Sequence, residues 1–302
     1  MSLIGALFRN VKGRTAPPER ARDARSVVEG AEWLEVKRCK HGVFAYNRND
    51  IYIGRSLSVY GEYSEAEVAF LSRLLAPGDT VVEAGANIGS ITVPLARVVG
   101  AGGRLIAFEP QRVAFTLLCA NCALNELGQI EPRRAAVGAT PGEIVVPVLP
   151  QGRALNFGGV ALSGSGSGDR VPVVRIDDLG LDACRLIMAD VEGMEASVIE
   201  GARETIARHR PILYVENNQQ ERSPALIALV QSLGYRAFWH FPPLFGAPNF
   251  AGVAENVLGP AVSTNMLCLP RGADLVAASG LTEITSPESF WRDANPRTGA
   301  QG

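Results

Sequence analysis

The sequence predicts an α/β fold in which a mostly parallel sheet is covered by helices on both faces. Three observations carry this reading. Strand-like and helix-like segments alternate for about 140 residues after Gly78. The strand-like segments, such as Thr80-Val-Val-Glu-Ala and Arg104-Leu-Ile-Ala-Phe, read as buried. The composition, 47% hydrophobic and 20% charged over 302 residues, supplies a substantial core. The remaining arithmetic excludes several classes. With 29 Lys+Arg against 31 Asp+Glu, the net charge of −2 offers no global positive field for nucleic acid. No run approaches the roughly 20 apolar residues that span a bilayer. The apolar start MSLIGALF is too short for a signal peptide, and its basic residues follow instead of preceding. Five cysteines, an odd number in a long chain, argue for a reducing compartment over a disulfide scaffold. The expectation is a cytoplasmic enzyme.

Residues 1–30 are expected to form a flexible, solvated arm, with six basic and two acidic residues between Arg9 and Arg25 around Pro17-Pro18. Residues 31–76 read as an N-terminal hairpin and helix extension. Val43–Tyr46 and Ile51–Ile53 are the predicted strands, joined at Asn47-Arg48-Asn49-Asp50. A helix starts at Ser64, where Ser-x-x-Glu67 fits a capping box, and stops at Ala76-Pro77-Gly78. The main domain, residues 77–275, opens with a strand at Thr80–Ala84. A helix follows over Ser90–Val99, in which Pro94 is tolerable only in the first turn. Arg104–Phe108 and Ile130–Val137 are the next strands, separated by a helix carrying Phe115, Leu118, Cys119 and Cys122 on one stripe. Arg185–Ala189 and Ile212–Val215 are joined by one helix with Met194, Val198, Ile199, Ala202 and Ile206 at helical spacing. Tyr235–Trp239 and Met266–Leu269 close the sheet. Ser163–Gly168 reads as a flexible loop and 276–302 as a C-terminal tail. Cys119-x-x-Cys122 has no second ligand pair and reads as core packing instead of zinc. His41 and His209 read as surface residues.

The informative stretch is Thr80-Val-Val-Glu-Ala-Gly-Ala-Asn-Ile-Gly-Ser. A buried strand runs into Gly85, turns, and opens a helix after Gly89, so that backbone N–H groups can approach a ligand. A nicotinamide-dinucleotide fingerprint would need glycines where Asn87 and Ser90 stand, and no Gly-Lys-Ser/Thr supports a P-loop. Glu109 ends the next strand, 20 residues after Gly89, where a carboxylate can accept both hydroxyls of a ribose. With Glu83 it gives the pocket acidic edges. Such edges suit a ligand with ammonium and sulfonium charges and no phosphate, and S-adenosylmethionine fits better than NAD or ATP.

Val82-Glu-Ala-Gly-Ala-Asn-Ile-Gly, Ala107-Phe-Glu-Pro and Asp190-Val-Glu-Gly-Met-Glu195 together resemble the FkbM family of S-adenosylmethionine-dependent methyltransferases. The resemblance extends over roughly residues 40–270, including Asn121–Asn125, Ala135–Gly138, Asn156–Gly159 and Ser263–Pro270. It implies a Rossmann-like, class I methyltransferase fold with a seven-stranded sheet, and O-methylation of a hydroxyl on a sugar, glycan or natural product. It also implies a lysine two residues before the Asp of Asp-Val-Glu-Gly, where this chain has Met188. Glu109 is expected to bind ribose, with Glu83, Gly85, Asn87 and Gly89 at the methionine end and Ala136 at adenine. Tyr60 and Ser64 are expected to close over the cofactor. Ligands bind beyond the carboxyl ends of strands in open α/β sheets. Asp190 or Glu192 is therefore the expected base, and Asn156, Glu216 and His240 the expected acceptor contacts. Asp190 with Glu216-Asn217 offers an oxygen-rich set for Mg²⁺, but the spacing shows proximity at best, and no metal is assigned. Two rivals remain: a protein that binds the cofactor without catalysis, favoured by Met188, and a nicotinamide oxidoreductase.

Overall fold

Apolar runs that must be covered on both sides set the architecture. The computed structural model describes residues 32–159 and 167–294, so the arm read over 1–30 and residues 163–166 of the Ser163–Gly168 loop lie outside the described residues. In chain order, β1 (Leu34–Cys39) and β2 (Gly42–Asn47) form an antiparallel hairpin, followed by α1 (Ile53–Tyr60) and α2 (Glu65–Ser72). Next come β3 (Thr80–Ala84), α3 (Thr92–Val99), β4 (Arg104–Phe108), α4 (Arg112–Leu124) and β5 (Ile130–Arg133). A small separate sheet is built from β6 (Ala136–Val137), β7 (Gly142–Val146) and β8 (Asp169–Val174). The chain then returns through β9 (Leu186–Ala189), α5 (Glu195–Glu200), α6 (Arg203–His209), β10 (Ile212–Glu216) and α7 (Ser223–Ser232). It finishes with β11 (Tyr235–His240), β12 (Asn265–Pro270), β13 (Thr282–Ile284) and α8 (Trp291–Ala294).

The main sheet has the order β13-β11-β12-β10-β9-β3-β4-β5. Strands β10, β9, β3, β4 and β5 pair in parallel, and β12 runs antiparallel between β10 and β11. All seven expected strands are present. An eighth, β13, pairs with β11 and comes from residues read as tail. Successive residues of each strand enter opposite cores. Val81, Leu105, Leu186 and Ile212 pack with α2, α3, α4 and the hairpin, while Val82, Ile106, Ile187 and Leu213 pack with α5, α6 and α7. Burial on both faces is why these strands carry no polar alternation.

Local details differ from the sequence reading for identifiable reasons. Ile51–Ile53 is not a strand, because the Asp50 carboxylate accepts the N–H groups of Tyr52 and Ile53 and turns the chain into α1. The hairpin therefore forms one step earlier, across the turn that Gly42 permits at φ +130°. The capping box is absent: Ser64 sits at φ +46° and donates its hydroxyl to Glu67 Oε2 instead of capping α2. Pro94 falls in the first turn of α3, as required. The buried stripe of α4 is Ala114, Leu117, Leu118, Asn121 and Cys122, so Phe115 and Cys119 are only half-buried. The run Ile130–Val137 splits between two sheets at a tight turn, where the Ala135 N–H bonds the Arg133 carbonyl. The single helix over 194–206 breaks at Gly201, whose α-carbon lies so close to Gly138 that a Cβ would stand 2.1 Å from its carbonyl oxygen.

Asn121 joins the extension to the site. Fully buried, it accepts from the Ala45 N–H at 2.6 Å and donates to the carbonyls of Ala45 at 3.1 Å and Ile88 at 2.8 Å. One side chain thus clamps β2 to the turn after β3. Asn121→Ala leaves these buried groups unpaired and is expected to destabilise the fold by about 3 kcal/mol, read by urea unfolding.

Candidate active site

The chain builds β3, β4 and β5 outward and then crosses back to place β9 on the other side of β3. Such a switch point leaves a crevice at the carboxyl ends of the strands. Gly85 follows β3, Glu109 follows β4, Asp190 follows β9 and Glu216 ends β10, and all four line one cavity of about 280 Å³. A smaller recess of about 40 Å³ shares Gly85, Glu109, Asp190 and Glu192 with it and is walled by Phe108, Ala136, Val137 and Met194.

Backbone geometry at the turn leaves no choice of residue. Gly85 has φ +91°, and a Cβ there would stand 1.8 Å from the Asp190 carbonyl oxygen. Asn87 adopts φ +50°, a conformation asparagine tolerates better than most residues, and directs its N–H onto Glu109 Oε2 at 2.8 Å. Glu109 Oε1 accepts the Gln111 N–H at 2.7 Å. The carboxylate is buried and fixed, with a lone pair on each oxygen left for a ligand. Glu83 is buried and accepts from the Thr92 hydroxyl at 2.7 Å. Gly89 lies off the cavity; it permits close packing on Leu118.

The far wall is acidic. Carboxylate oxygens of Asp190, Glu192 and Glu216 lie within 4.8 Å of one another. Glu192 adopts φ +53°, and the loop that carries it is tied by Glu195, which accepts the N–H groups of Val191 and Gly193. Glu216 Oε1 accepts from Asn218 at 2.7 Å, whereas its Oε2 is buried without a partner. Asn217 does not join this set: its amide donates to Met266 Sδ in the core. Asn156 lines the cavity and folds its own loop, accepting from the N–H groups of Gly158 and Gly159.

Other sequence-derived residues stand elsewhere. The Tyr60 hydroxyl donates to the Glu255 carbonyl and accepts from the Val257 N–H, pinning a distant loop. Ser64 is fully buried behind Glu67. Neither lines the cavity. His240 is also set back, stacked on Phe70 at 4.0 Å and hydrogen-bonded through Nδ1 to the Tyr214 hydroxyl at 2.8 Å. Burial, with the Arg73 charge adding, lowers its pKa to about 4, so it is neutral and screened from a ligand by Tyr214. The cavity instead uses Tyr52, Tyr63, Glu67, Gln111, Tyr214 and Asn265. Glu67 accepts from Ser64, Asn265 and Ser263. Its position three residues after Ser64 drew attention only as a cap, and nothing local marks the others.

Six carboxyls line the cavity, and among the described residues no lysine, arginine or histidine does. Burial pushes Glu67, Glu83 and Glu109 up to about 7, although their hydrogen bonds pull the other way. Burial, reinforced by the Asp190 and Glu195 charges, takes Glu192 to about 7. Asp190 is exposed to the cavity, yet the surrounding protein raises it too. Glu216 is raised further by burial and by the Asp190 charge, so this pair releases its protons in two separated steps. A carboxyl whose folded pKa exceeds its ordinary 4.5 stabilises the fold below 4.5 and loses that contribution as pH rises through 7. Thermal stability of the ligand-free protein is therefore expected to fall between pH 5 and pH 8 in a melting series. A rise across that window contradicts the burial assignment.

The family model described as the methyltransferase FkbM domain matches residues 83–237, just over half of the chain. The chain belongs to the FkbM methyltransferase family. The match runs from Glu83 to β11 and so spans the turn, Glu109 and the acidic wall. The fold is that of class I methyltransferases, and the cofactor is S-adenosylmethionine. No curated protein matches the chain. Among solved structures, an FkbM methyltransferase from Methylobacillus flagellatus KT is similar at 18% identity and TM-score 0.41, over 64% of this chain and 44% of that one. The chain thus spans under half the length of that relative. An O-methyltransferase from Bacillus cereus in complex with SAH is similar at 13% identity and TM-score 0.42, over 69% and 80% of the two chains. TYW2 from M. jannaschii in complex with AdoMet is similar at 14% identity and TM-score 0.41, over 80% and 87%.

The residues present fit this cofactor. Among the described residues the cavity offers carboxylates and no cation, which suits a sulfonium and an ammonium and opposes a pyrophosphate. Glu109 has lone pairs for ribose hydroxyls, Glu83 can take the ammonium, and Ser90 and Asn87 line the wall as donors for the carboxylate. The recess at Phe108, Ala136 and Val137 has the apolar walls an adenine ring would need.

Proposed function

We propose that the protein is an O-methyltransferase acting on a hydroxyl of a sugar, glycan or natural product, in the cytoplasm. The observation that carries this is the cluster of Asp190, Glu192 and Glu216, which shares one cavity of about 280 Å³ with Glu109. S-adenosylmethionine supplies a methyl group on a sulfonium, which leaves as a thioether when an oxygen takes the methyl. The protein's own contribution is to hold the acceptor hydroxyl in line and to remove its proton as the O–C bond forms. In this reading Asp190 or Glu192 takes that proton and the other orients the acceptor, a reading supported by carboxylates within 4.8 Å of each other. Free cysteines at 39, 119, 122, 184 and 268 support a reducing compartment. No helix among the described residues is long and apolar enough to cross a membrane.

Because burial holds the Glu192 carboxyl near 7, a base at this site is half-protonated at neutral pH. The transfer rate is expected to rise with pH through about 7 and level off above it. Glu192→Gln and Asp190→Asn are each expected to lower kcat by about 10²–10⁴-fold, well in excess of any change in cofactor affinity. Met188 favours the second reading, binding without catalysis: it lies on the cavity floor where relatives are expected to carry a lysine. Transfer of methyl-tritium label from the cofactor into a broad metabolite and glycan pool separates the two. Label above background supports the enzyme, and its absence favours the binder.

A further inference from the structure

We propose that the acceptor is an amino alcohol of the amino-sugar type, whose ammonium sits between Asp190 and Glu216 while Glu192 faces the hydroxyl to be methylated. This rests on the methyltransferase reading and names the substrate class of the same site. In that reading Glu109 and Glu83 hold the cofactor, and Glu67 is satisfied by Ser64, Ser263 and Asn265. Three carboxyls remain within 4.8 Å of one another, and among the described residues the lining holds no cationic side chain to balance them. Glu216 Oε2 is buried, takes no hydrogen bond from a nitrogen or hydroxyl of the described residues, and lies by the Asp190 carboxyl, with which it shares a proton in the free protein. An ammonium can take the place of that proton and donate to both carboxylates. The strand register explains why the protein supplies none: Met188 pairs with Glu83 on one side and Tyr214 on the other, so a thioether occupies the middle of the cavity floor. Tyrosine rings at 52, 63 and 214 complete a wall that favours an ammonium over a phosphate or carboxylate. A phosphorylated or uronic acceptor would meet only like charge.

The test uses EDTA-treated protein saturated with S-adenosylhomocysteine, titrated calorimetrically with glucosamine, N-acetylglucosamine and glucose at fixed ionic strength. Glucosamine is expected to bind at least about tenfold more tightly than the two neutral sugars. Glu216→Gln removes one of the two carboxyls that would hold the ammonium, and Met188→Lys supplies an internal cation. Each is expected to shrink the preference below about threefold while S-adenosylhomocysteine affinity in Glu216→Gln stays within about threefold. Equal affinities, no glucosamine binding to the product complex, or displacement of glucosamine by Mg²⁺ or Mn²⁺ at the same carboxylates overturns this inference alone. Failure of S-adenosylhomocysteine itself to bind overturns the methyltransferase reading and this one with it.

Discussion

Glu109→Ala is expected to weaken S-adenosylhomocysteine binding by at least about 100-fold, measured by calorimetry on protein whose melting curve shows it folded. A hydrogen bond to a charged acceptor contributes about 1.5–3 kcal/mol, and a ribose offers two. Each 1.4 kcal/mol is about tenfold in affinity, so two such bonds, about 3 kcal/mol or more together, account for a 100-fold loss. The substitution also frees the N–H groups of Asn87 and Gln111, which Glu109 holds at 2.8 and 2.7 Å. Asn87 sits at φ +50°, and without its carboxylate partner that conformation has less to hold it, so the turn loosens as well. Glu109→Gln keeps an oxygen acceptor and should lose about tenfold. An unchanged affinity in Glu109→Ala would remove the ribose from this carboxylate.

Gly85→Ala is expected to be the most damaging single methyl addition to the site. The new Cβ would lie 1.8 Å from the Asp190 carbonyl oxygen, a backbone atom that cannot rotate away, and φ +91° is itself strained for alanine. Relief requires parting β3 from β9, whose parallel ladder runs up to Ala84 and Ala189. A cost of about 3 kcal/mol or more follows, which lowers Tm by about 10 °C in a chain of this size. Any protein that still folds should bind cofactor poorly, since Gly85 lies in both the main cavity and the smaller apolar recess. Gly128→Ala, where a Cβ meets no atom within 4 Å, is the control and should behave as wild type.

Much of the sheet was legible in the sequence because buried parallel strands are apolar throughout and their neighbours are set by short βα connections. The turn from Glu83 to Gly89 and the carboxylate at 109 were legible for a related reason. Each follows directly from a strand, so its place in space is fixed within a few residues. Elements whose conformation is decided by one side-chain contact were not legible. Asp50 converts a β-rich stretch into the start of α1, and Ser64 gives its hydroxyl to Glu67 and loses its cap. The cavity's remaining wall comes from tertiary recruitment. Tyr214 lies at a strand position whose inward face is set by register, and it covers His240, which local chemistry alone made attractive. Tyr60 and Tyr63 are three residues apart, yet the loop near 255 takes the hydroxyl of the first and leaves the second to the cavity. Charge was legible as composition at single positions; that six carboxyls meet without a cation is visible only in three dimensions.

The most direct measurement is a crystal structure with S-adenosylhomocysteine. Both ribose hydroxyls are expected within hydrogen-bond distance of Glu109, with adenine against Ala136 and the sulfur facing Asp190 and Glu192. Product seated elsewhere, or a Glu109 carboxylate with no contact to it, would overturn the assignment of this crevice to the cofactor.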